Sequence, residues 1–141
     1  MYINEVKSGS VIQYNGKYDV VLNTDGITNM VKLAFNPSID IPVSELSDVT
    51  LTAKILLDCG FKRDDRQDRD GDKFVVYHFD GIDIYDHSYE NEPQFSYATY
   101  IKYDGSFKGG FSIESLRQLQ FLVFGLRRKE LNISLIGNPV K

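Results

Sequence analysis

Hydrophobic and polar positions alternate along most of this chain, in short runs separated by pairs that favour tight turns. Such alternation, in runs rich in β-branched and aromatic residues, is typical of half-buried β-strands. The turn pairs are Asn15-Gly16, Asp25-Gly26, Asp70-Gly71, Asp80-Gly81 and Asp104-Gly105, because Asn, Asp and Gly tolerate the positive φ of two-residue hairpins. The pattern predicts strands at Val11–Tyr14, Tyr18–Asn23, Asn29–Ala34, Asp40–Val43, Phe74–Phe79, Ile82–Asp86, Ser96–Tyr103, Phe107–Phe111 and Leu131–Leu135.

Two other segments repeat their apolar residues at helical spacing. The first runs from Ala53 to Asp58 or Cys59. Thr52 is its predicted N-cap, and Gly60 can close it in the left-handed conformation. The second helix is predicted over Ile113–Leu126, with Ser112 as its N-cap. Its wide apolar stripe predicts burial on more than one side.

These elements predict an α+β fold, with a mostly antiparallel β-sheet and two α-helices. The strands of residues 1–49 suggest a β-rich N-terminal subdomain, with a small SH3-like β-barrel as one option. Residues 50–141 are expected to form a helix–antiparallel sheet–helix subdomain, and one compact domain is the alternative. The segment Lys62–Lys73 has five basic and five acidic residues and almost nothing apolar. It is therefore predicted to be a solvated, mobile connection.

Composition adds limits to this picture. The chain has 141 residues, of which 42% are hydrophobic and 26% charged, which is typical of a globular protein. A single cysteine excludes a disulfide framework and a structural zinc site. No apolar run approaches the roughly 18 residues of a membrane helix, and the first residues lack a signal-peptide pattern. We therefore expect a cytoplasmic protein that is not bound to a membrane.

Charge is distributed unevenly along the chain. The total is −4, but residues 1–101 hold 9 basic and 17 acidic side chains, whereas residues 102–141 hold 7 basic and 3 acidic ones. An acidic protein is poorly suited to non-specific binding of nucleic acid, which depends on neutralised phosphates. A local basic cluster could still hold a small ligand, a nucleotide or an RNA end. The alternative ligand-binding set is Arg117, Arg127, Arg128 and Lys129.

The strongest candidate for a protein-binding surface lies between Asp80 and Tyr103. The stretch Asp80–Glu92 has five acidic residues and no Lys or Arg, and tyrosines accompany it. Tyrosine suits interfaces because one end of its side chain is apolar and the other is polar. The alternative is a sheet face packed by the final helix. The predicted partner-binding residues are Asp83, Tyr85, Asp86, Tyr89, Glu90, Tyr97 and Tyr100.

Metal chemistry has one candidate cluster and one apparent motif. The motif, at Asp68–Asp72, fails as an EF-hand because the spacing puts Arg66 and Tyr77 at essential ligand positions, so a turn is expected. In the cluster, a hairpin at Asp80-Gly81 would send the side chains to different faces. We therefore predict no metal or cofactor, and a metal-dependent hydrolase is kept only as an alternative. The cluster comprises His78, Asp80, Asp83, Asp86 and His87.

Nucleophilic catalysis has no support in the sequence. Cys59 is predicted at a helix C-terminus, where a thiol pKa is raised, so a packed apolar role is expected. No nucleophile-elbow or phosphate-loop motif occurs. We therefore expect a protein that is not an enzyme.

Two segments carry a family resemblance. Leu51–Phe61 resembles an L-T-x-x-W-L-x-x-x-G-F pattern, and Ile113–Leu131 resembles V-H-x-L-Q-N-L-Y-x-x-L-T-G-x-E-L. Both patterns belong to a family of small uncharacterised proteins of Bacteroidetes phages and prophages. Ser8–Gly16 is similar to the family's R-I-G-N-x-V-type opening. This chain departs from the patterns with Ile55 in place of Trp and Arg117 in place of His.

The resemblance implies a phage or prophage setting in a bacterial cytoplasm, and it carries over no catalytic residues. The expected function is a non-enzymatic accessory protein that binds a host protein, with a defence component as the favoured class. The alternative is a small-ligand, nucleotide or nucleic-acid binder that uses the basic set. A homodimer is compatible with the number of aromatic residues.

Overall fold

The structure is a computed structural model that describes residues 1–88, 92–97, 100–101, 107–108 and 111–137. Within these residues the chain has two α-helices and two five-stranded antiparallel sheets, so the predicted α+β fold is confirmed. The chain divides into two compact units. The first contains Met1–Thr50 and Ser115–Phe121, and the second contains Leu51–Glu114 and Leu122–Ile136. That the units fold as separate domains stays a prediction.

The first unit is built around five strands, which are β1 Val11–Tyr14, β2 Lys17–Asp25, β3 Met30–Leu33, β4 Asn36–Pro42 and β5 Ser47–Asp48. They form one sheet in the order β4-β3-β2-β1-β5. Asn15 and Gly16 have φ values of 51° and 75° and form the predicted tight turn between β1 and β2. Short 3-10 helices cover Ile3–Glu5 and Val43–Glu45.

This sheet is open, so the option of a closed N-terminal barrel is wrong. Strands β4 and β5 lie at opposite ends of the strand order and do not pair with each other. A register shift between Val21 and Asn23 interrupts the pairing of β2 with β3, which is where a long strand can bend. One side of the sheet covers an apolar core of Val6, Ile12, Val21, Val31, Leu33, Ile41, Val43 and Leu46.

The second unit contains the other five-stranded sheet, whose strands are β6 Lys62–Gln67, β7 Lys73–Phe79, β8 Ile82–Asp86, β9 Phe95–Tyr97 and β12 Phe111–Ile113. Their order in the sheet is β12-β9-β8-β7-β6. Asp80 and Gly81, with φ values of 49° and 80°, form the predicted turn between β7 and β8. A separate pair, β10 Tyr100–Ile101 and β11 Phe107–Lys108, forms a two-stranded ladder.

Strand β6 corrects the prediction of a mobile connection at Lys62–Lys73. Its six residues pair in register with β7, from Lys62 opposite His78 to Gln67 opposite Lys73. β6 lies at the end of the strand order, and charged residues are common on such edge strands because they discourage pairing with other chains. The absence of apolar residues in Lys62–Gln67 therefore reflects an exposed edge strand and not a loop.

Helix α1, Ala53–Asp58, has the predicted bounds and caps. The Thr52 hydroxyl accepts a hydrogen bond from the Ile55 amide at 3.2 Å, and Gly60 has a φ of 98°. This conformation is readily available to glycine, which has no Cβ. Ile55 and Leu56 are buried, so the helix packs its apolar side into the second unit.

Helix α2, Leu116–Arg127, begins three residues later than predicted because Ile113 belongs to β12. Its N-cap is Ser115, whose hydroxyl accepts from the Gln118 amide at 3.2 Å, while the Gln118 side chain accepts from the Ser115 amide at 3.3 Å. This reciprocal pair is a capping box. The prediction of broad burial fails toward the end of the helix, where Phe124 is 45% exposed.

The predicted strand at Leu131–Leu135 is also wrong. Asn132 there accepts hydrogen bonds from the Ser134 amide and hydroxyl, at 3.0 and 2.7 Å. Such a side-chain-to-backbone contact competes with strand pairing, and the segment forms a turn. None of the helices in the described residues has the length and apolar character needed to cross a membrane.

Candidate functional site

The two faces of the second sheet differ in chemistry. Successive residues of a strand point to opposite faces, and the register aligns Tyr77 with Ile84 and His78 with Asp83. One face therefore contains the buried residues Tyr77, Ile82 and Ile84. The other carries charged side chains, and the four of them that contact one another define what we call the polar face. The polar face comprises Asp64, Arg66, His78 and Asp83.

Asp83 lies at the centre of the polar face. Its Oδ1 is 2.6 Å from His78 Nδ1, and its Oδ2 accepts a hydrogen bond from Arg66 Nη1 at 3.4 Å. Because an ionised carboxylate can only accept, Nδ1 is the protonated nitrogen of His78. These two contacts hold the Asp83 carboxylate in a fixed direction. The side chain is 31% exposed, so the carboxylate is still in contact with solvent.

Arg66 connects this carboxylate to the rest of the face. Its Nε donates to Asp64 at 2.8 Å, and this hydrogen bond raises the pKa of Arg66. Arg66 also hydrogen-bonds Tyr85. The Tyr85 ring is nearly buried and stacks on Phe74 with centroids 6.1 Å apart. Burial, followed by the charge of Asp83, raises the pKa of the Tyr85 hydroxyl.

The predicted partner-binding residues do not form one surface. Asp83 and Tyr85 lie on the polar face, but Asp86 and Tyr97 lie on the opposite face, aligned with Phe95 and Ile84. Asp86 also accepts a hydrogen bond from the Ser88 amide at 2.8 Å. Tyr100 lies in β10, and Tyr89 and Glu90 are outside the described residues.

The alternative basic set is also divided. Arg117 is only 8% exposed and binds Asp48 in the first unit. Arg127 and Lys129 instead contact Asp80, the turn residue of the β7–β8 hairpin. Arg128 is exposed, with a φ of 56°. Arg117 is thus too buried to contribute to a basic surface, and Arg127 and Lys129 are already paired with a carboxylate.

Asp80 binds two of the C-terminal cations, Arg127 and Lys129. Lys129 Nζ lies 2.8 Å from Asp80 Oδ2, and Arg127 Nε donates to the Asp80 carbonyl. The hydrogen bond from Lys129 lowers the pKa of the Asp80 carboxyl. A Cβ at Gly81 would lie 2.5 Å from the Arg127 guanidinium, so glycine at this turn also leaves room for that side chain.

The candidate metal ligands are used in other contacts. His78 contacts Asp83, and His87 Nε2 lies 2.8 Å from the Ser96 hydroxyl. In the described part of the chain, no three His, Cys, Asp or Glu side chains are grouped so that they could hold a metal ion. Asp68 Oδ1 accepts from the amides of Asp70 and Asp72 at 2.9 Å each, as in the expected turn.

Cys59 has the structural role expected of it. The side chain is 1% exposed, and burial, together with the charge of Asp58, raises the pKa of the thiol to about 12. A thiol with this pKa is almost entirely protonated at neutral pH and is a poor nucleophile.

The sequence interpretation missed Asp64 and Arg66 because it treated their segment as a connection. The sequence signal that could have indicated this strand is the spacing of opposite charges two residues apart, as in Arg63 with Asp65 and Asp64 with Arg66. In a strand such residues share a face, and both pairs form ion pairs, at 3.2 and 2.8 Å. Comparison of the chain with protein-family models, curated proteins and solved structures gave no match.

Proposed function

We propose that this protein is a non-enzymatic accessory protein of a phage or prophage and that it binds a host protein through the polar face. A component of host defence is the proposed class of partner. The observation that supports this proposal is the position of Asp83, held between Arg66 and His78 on a partly exposed region of the sheet. The phage setting rests on the resemblance of the two helical segments.

The contacts within the polar face favour recognition over catalysis. Each of its four side chains has a partner in the face, so their directions are set before any binding. Charged groups ordered in this way contribute specificity to protein interfaces. Arg is also among the residue types most often found at the energetic centre of interfaces, and Arg66, with 34% of its side chain exposed, supplies one here.

The contribution of these ion pairs to stability is small. Their side chains are 31 to 51% exposed, and ion pairs with such exposure are worth about 0–1 kcal/mol. The polar face can therefore be changed without unfolding the sheet, which makes the proposal testable by substitution.

The test compares affinity capture by three tagged proteins from nuclease-treated host lysate. The first is unchanged, and the second carries Asp64→Asn, Arg66→Gln and Asp83→Asn. The third, a control, carries Lys32→Gln and Asp40→Asn, which remove an exposed ion pair of 3.2 Å in the first unit.

We expect the unchanged and control proteins to enrich the same host protein and the polar-face variant to lose it. In titrations with the purified host protein, the unchanged and control proteins should then bind more tightly than the polar-face variant. Circular dichroism and thermal unfolding establish that all three proteins are folded. Equal binding by the polar-face variant would contradict the assignment of this surface, and the absence of any specific host protein would contradict the proposed function.

A further inference from the structure

We propose that Arg127 and Lys129 are positioning residues that keep His78 and Asp83 in their orientation on the polar face. The inference rests on the proposed function, because it concerns how the proposed binding surface is held. Neither cation belongs to the polar face itself. Both act through the turn of the β7–β8 hairpin, on which His78 and Asp83 lie directly opposite each other.

The end of this hairpin extends past the described ends of the strands on either side of it. In the described residues, β6 pairs with β7 only as far as His78, and β9 pairs with β8 only as far as Ile84. Asp83, the closing pair of Phe79 with Ile82 and the turn itself lie beyond the described pairing with β9. Backbone that is held by few neighbouring hydrogen bonds opens more easily than the middle of a sheet. The contact between His78 and Asp83 thus depends on what else restrains the turn.

Arg127 and Lys129 restrain three consecutive residues at this turn. Lys129 Nζ lies 2.8 Å from Asp80 Oδ2 and 5.4 Å from the centre of the Phe79 ring. Arg127 Nε donates to the Asp80 carbonyl, and its guanidinium lies so close to Gly81 that a Cβ there would be 2.5 Å away. Hydrogen bonds from charged donors are stronger than those between neutral groups. These contacts therefore oppose opening of the hairpin end.

The residue between the two cations provides a matched control. Arg127 is the last residue of α2, and Arg128 has a φ of 56°, the left-handed conformation that commonly ends a helix. Arg127 and Lys129 both reach Asp80. The Arg128 side chain is exposed and, among the described residues, has no ion pair or hydrogen bond with the hairpin. A change at Arg128 therefore removes the same charge from an adjacent position without touching the turn.

The test is long-range proton–nitrogen NMR of the imidazoles at about pH 8, where an ordinary histidine is neutral. The chain has two histidines, so both can be assigned. The unchanged protein should show the Nδ1–H tautomer of His78, because Nδ1 lies 2.6 Å from Asp83 Oδ1. In the double variant Arg127→Gln with Lys129→Gln, the ratio of the Nδ1–H to the Nε2–H tautomer of His78 should fall by about fivefold or more, since a released imidazole has no partner that fixes its tautomer.

Three controls separate positioning from general destabilisation. His87 is the internal one, because its Nε2 contacts the Ser96 hydroxyl at 2.8 Å and its tautomer ratio should not change. Arg128→Gln should leave the His78 ratio within about twofold of the unchanged value. The double variant Arg127→Lys with Lys129→Arg keeps both charges and should recover most of the lost ratio. Circular dichroism and thermal unfolding establish that each variant is folded.

A fall confined to His78 and reversed by the charge-conserving exchange supports the inference. An unchanged His78 ratio in the glutamine double variant would overturn it, as would an equal fall in Arg128→Gln or an equal change at His87. The spectra contain no host protein, so their outcome is independent of the capture experiment. An unchanged His78 signature, together with loss of host capture by the polar-face variant, would reject the positioning role and leave the proposed function in place.

Discussion

Arg117 binds Asp48 through two hydrogen bonds, from Nε to Oδ1 at 2.9 Å and from Nη2 to Oδ2 at 3.1 Å. Its Nη1 donates to the Glu5 carbonyl at 2.8 Å. The hydrogen bonds to Asp48 raise the pKa of Arg117. An arginine that the sequence offered as a ligand-binding residue is therefore part of the internal structure of the first unit.

Removing this arginine should destabilise the protein. We expect Arg117→Ala to lower the free energy of unfolding by about 2–3 kcal/mol. This value is near the lower limit for a broken buried ion pair, because Asp48 is 38% exposed and can be hydrated once Arg117 is removed. Arg117→Lys should recover part of the loss, since lysine keeps the charge but not the paired geometry. Urea unfolding measures both. A loss no larger than that of Lys54→Ala, at an exposed ion pair, would contradict the structural role.

The beginning of α2 gives a prediction with an internal control. Ser115→Ala should cost about 1 kcal/mol because it removes the hydroxyl that caps the Gln118 amide. Ser112→Ala, at the N-cap expected from the sequence, should change stability by less than about 0.5 kcal/mol, because Ser112 is an exposed residue of β12. The same urea experiment compares the two, and the reverse order would place the helix start at Ser112.

Replacing Arg128 with glycine should stabilise the protein. Its φ of 56° places a residue with a Cβ in the left-handed region, where glycine is favoured at the end of a helix. Arg128→Gly should raise the free energy of unfolding by about 0.5–1 kcal/mol, after allowance for the greater freedom of glycine in the unfolded chain. Arg128→Ala removes the same charge but keeps a Cβ. A similar gain in both variants would show that charge, and not backbone conformation, is responsible.

Asp80 should make stability depend on acid pH. Its carboxyl pKa is lowered in the folded protein, below the ordinary value of 3.8, mainly by Lys129. A lowered folded-state pKa contributes stability above the unfolded-state pKa, and that contribution is lost as the pH falls through the folded-state pKa.

Urea unfolding of the unchanged protein and Asp80→Asn tests this dependence. Asparagine accepts the same positive φ, so the variant removes the charge and preserves the turn. The unchanged protein should be the more stable one at pH 6, and the difference should shrink progressively below about pH 4. A difference that stays constant down to the acid limit of the experiment would exclude the charged contact with Lys129 as its source.

Local signals were sufficient for much of the fold. Thr52 and Gly60 defined α1, and the Asn15-Gly16 and Asp80-Gly81 turns located two hairpins, because each of these features depends on a few neighbouring residues. β6 was not predicted because its charged residues do not indicate a strand by themselves, and the strand forms by pairing with β7. The start of α2 was misplaced although Ser115 and Gln118 have capping-box spacing, since the apolar residue Ile113 extends the helical pattern.

The candidate site was harder to predict because it depends on register. Asp83, Tyr85 and Asp86 are close in sequence, but alternation along β8 places Asp86 on the face opposite the other two. The partner of Arg127 and Lys129 is Asp80, some 47 residues before Arg127. Neither fact follows from composition or from charge totals, which explains why the acidic and basic sets were each predicted as one surface.

The hydrogen bonds of Gln120 have a consequence for the order in which the chain folds. Its side chain accepts from the Val11 amide and donates to the Gly9 carbonyl, both at 2.9 Å and across 109 and 111 residues of sequence. Domains generally fold from the N-terminus as they are synthesised. Here residues 1–50 are synthesised before Arg117 and Gln120, so the first unit can be completed only after residue 120 has left the ribosome.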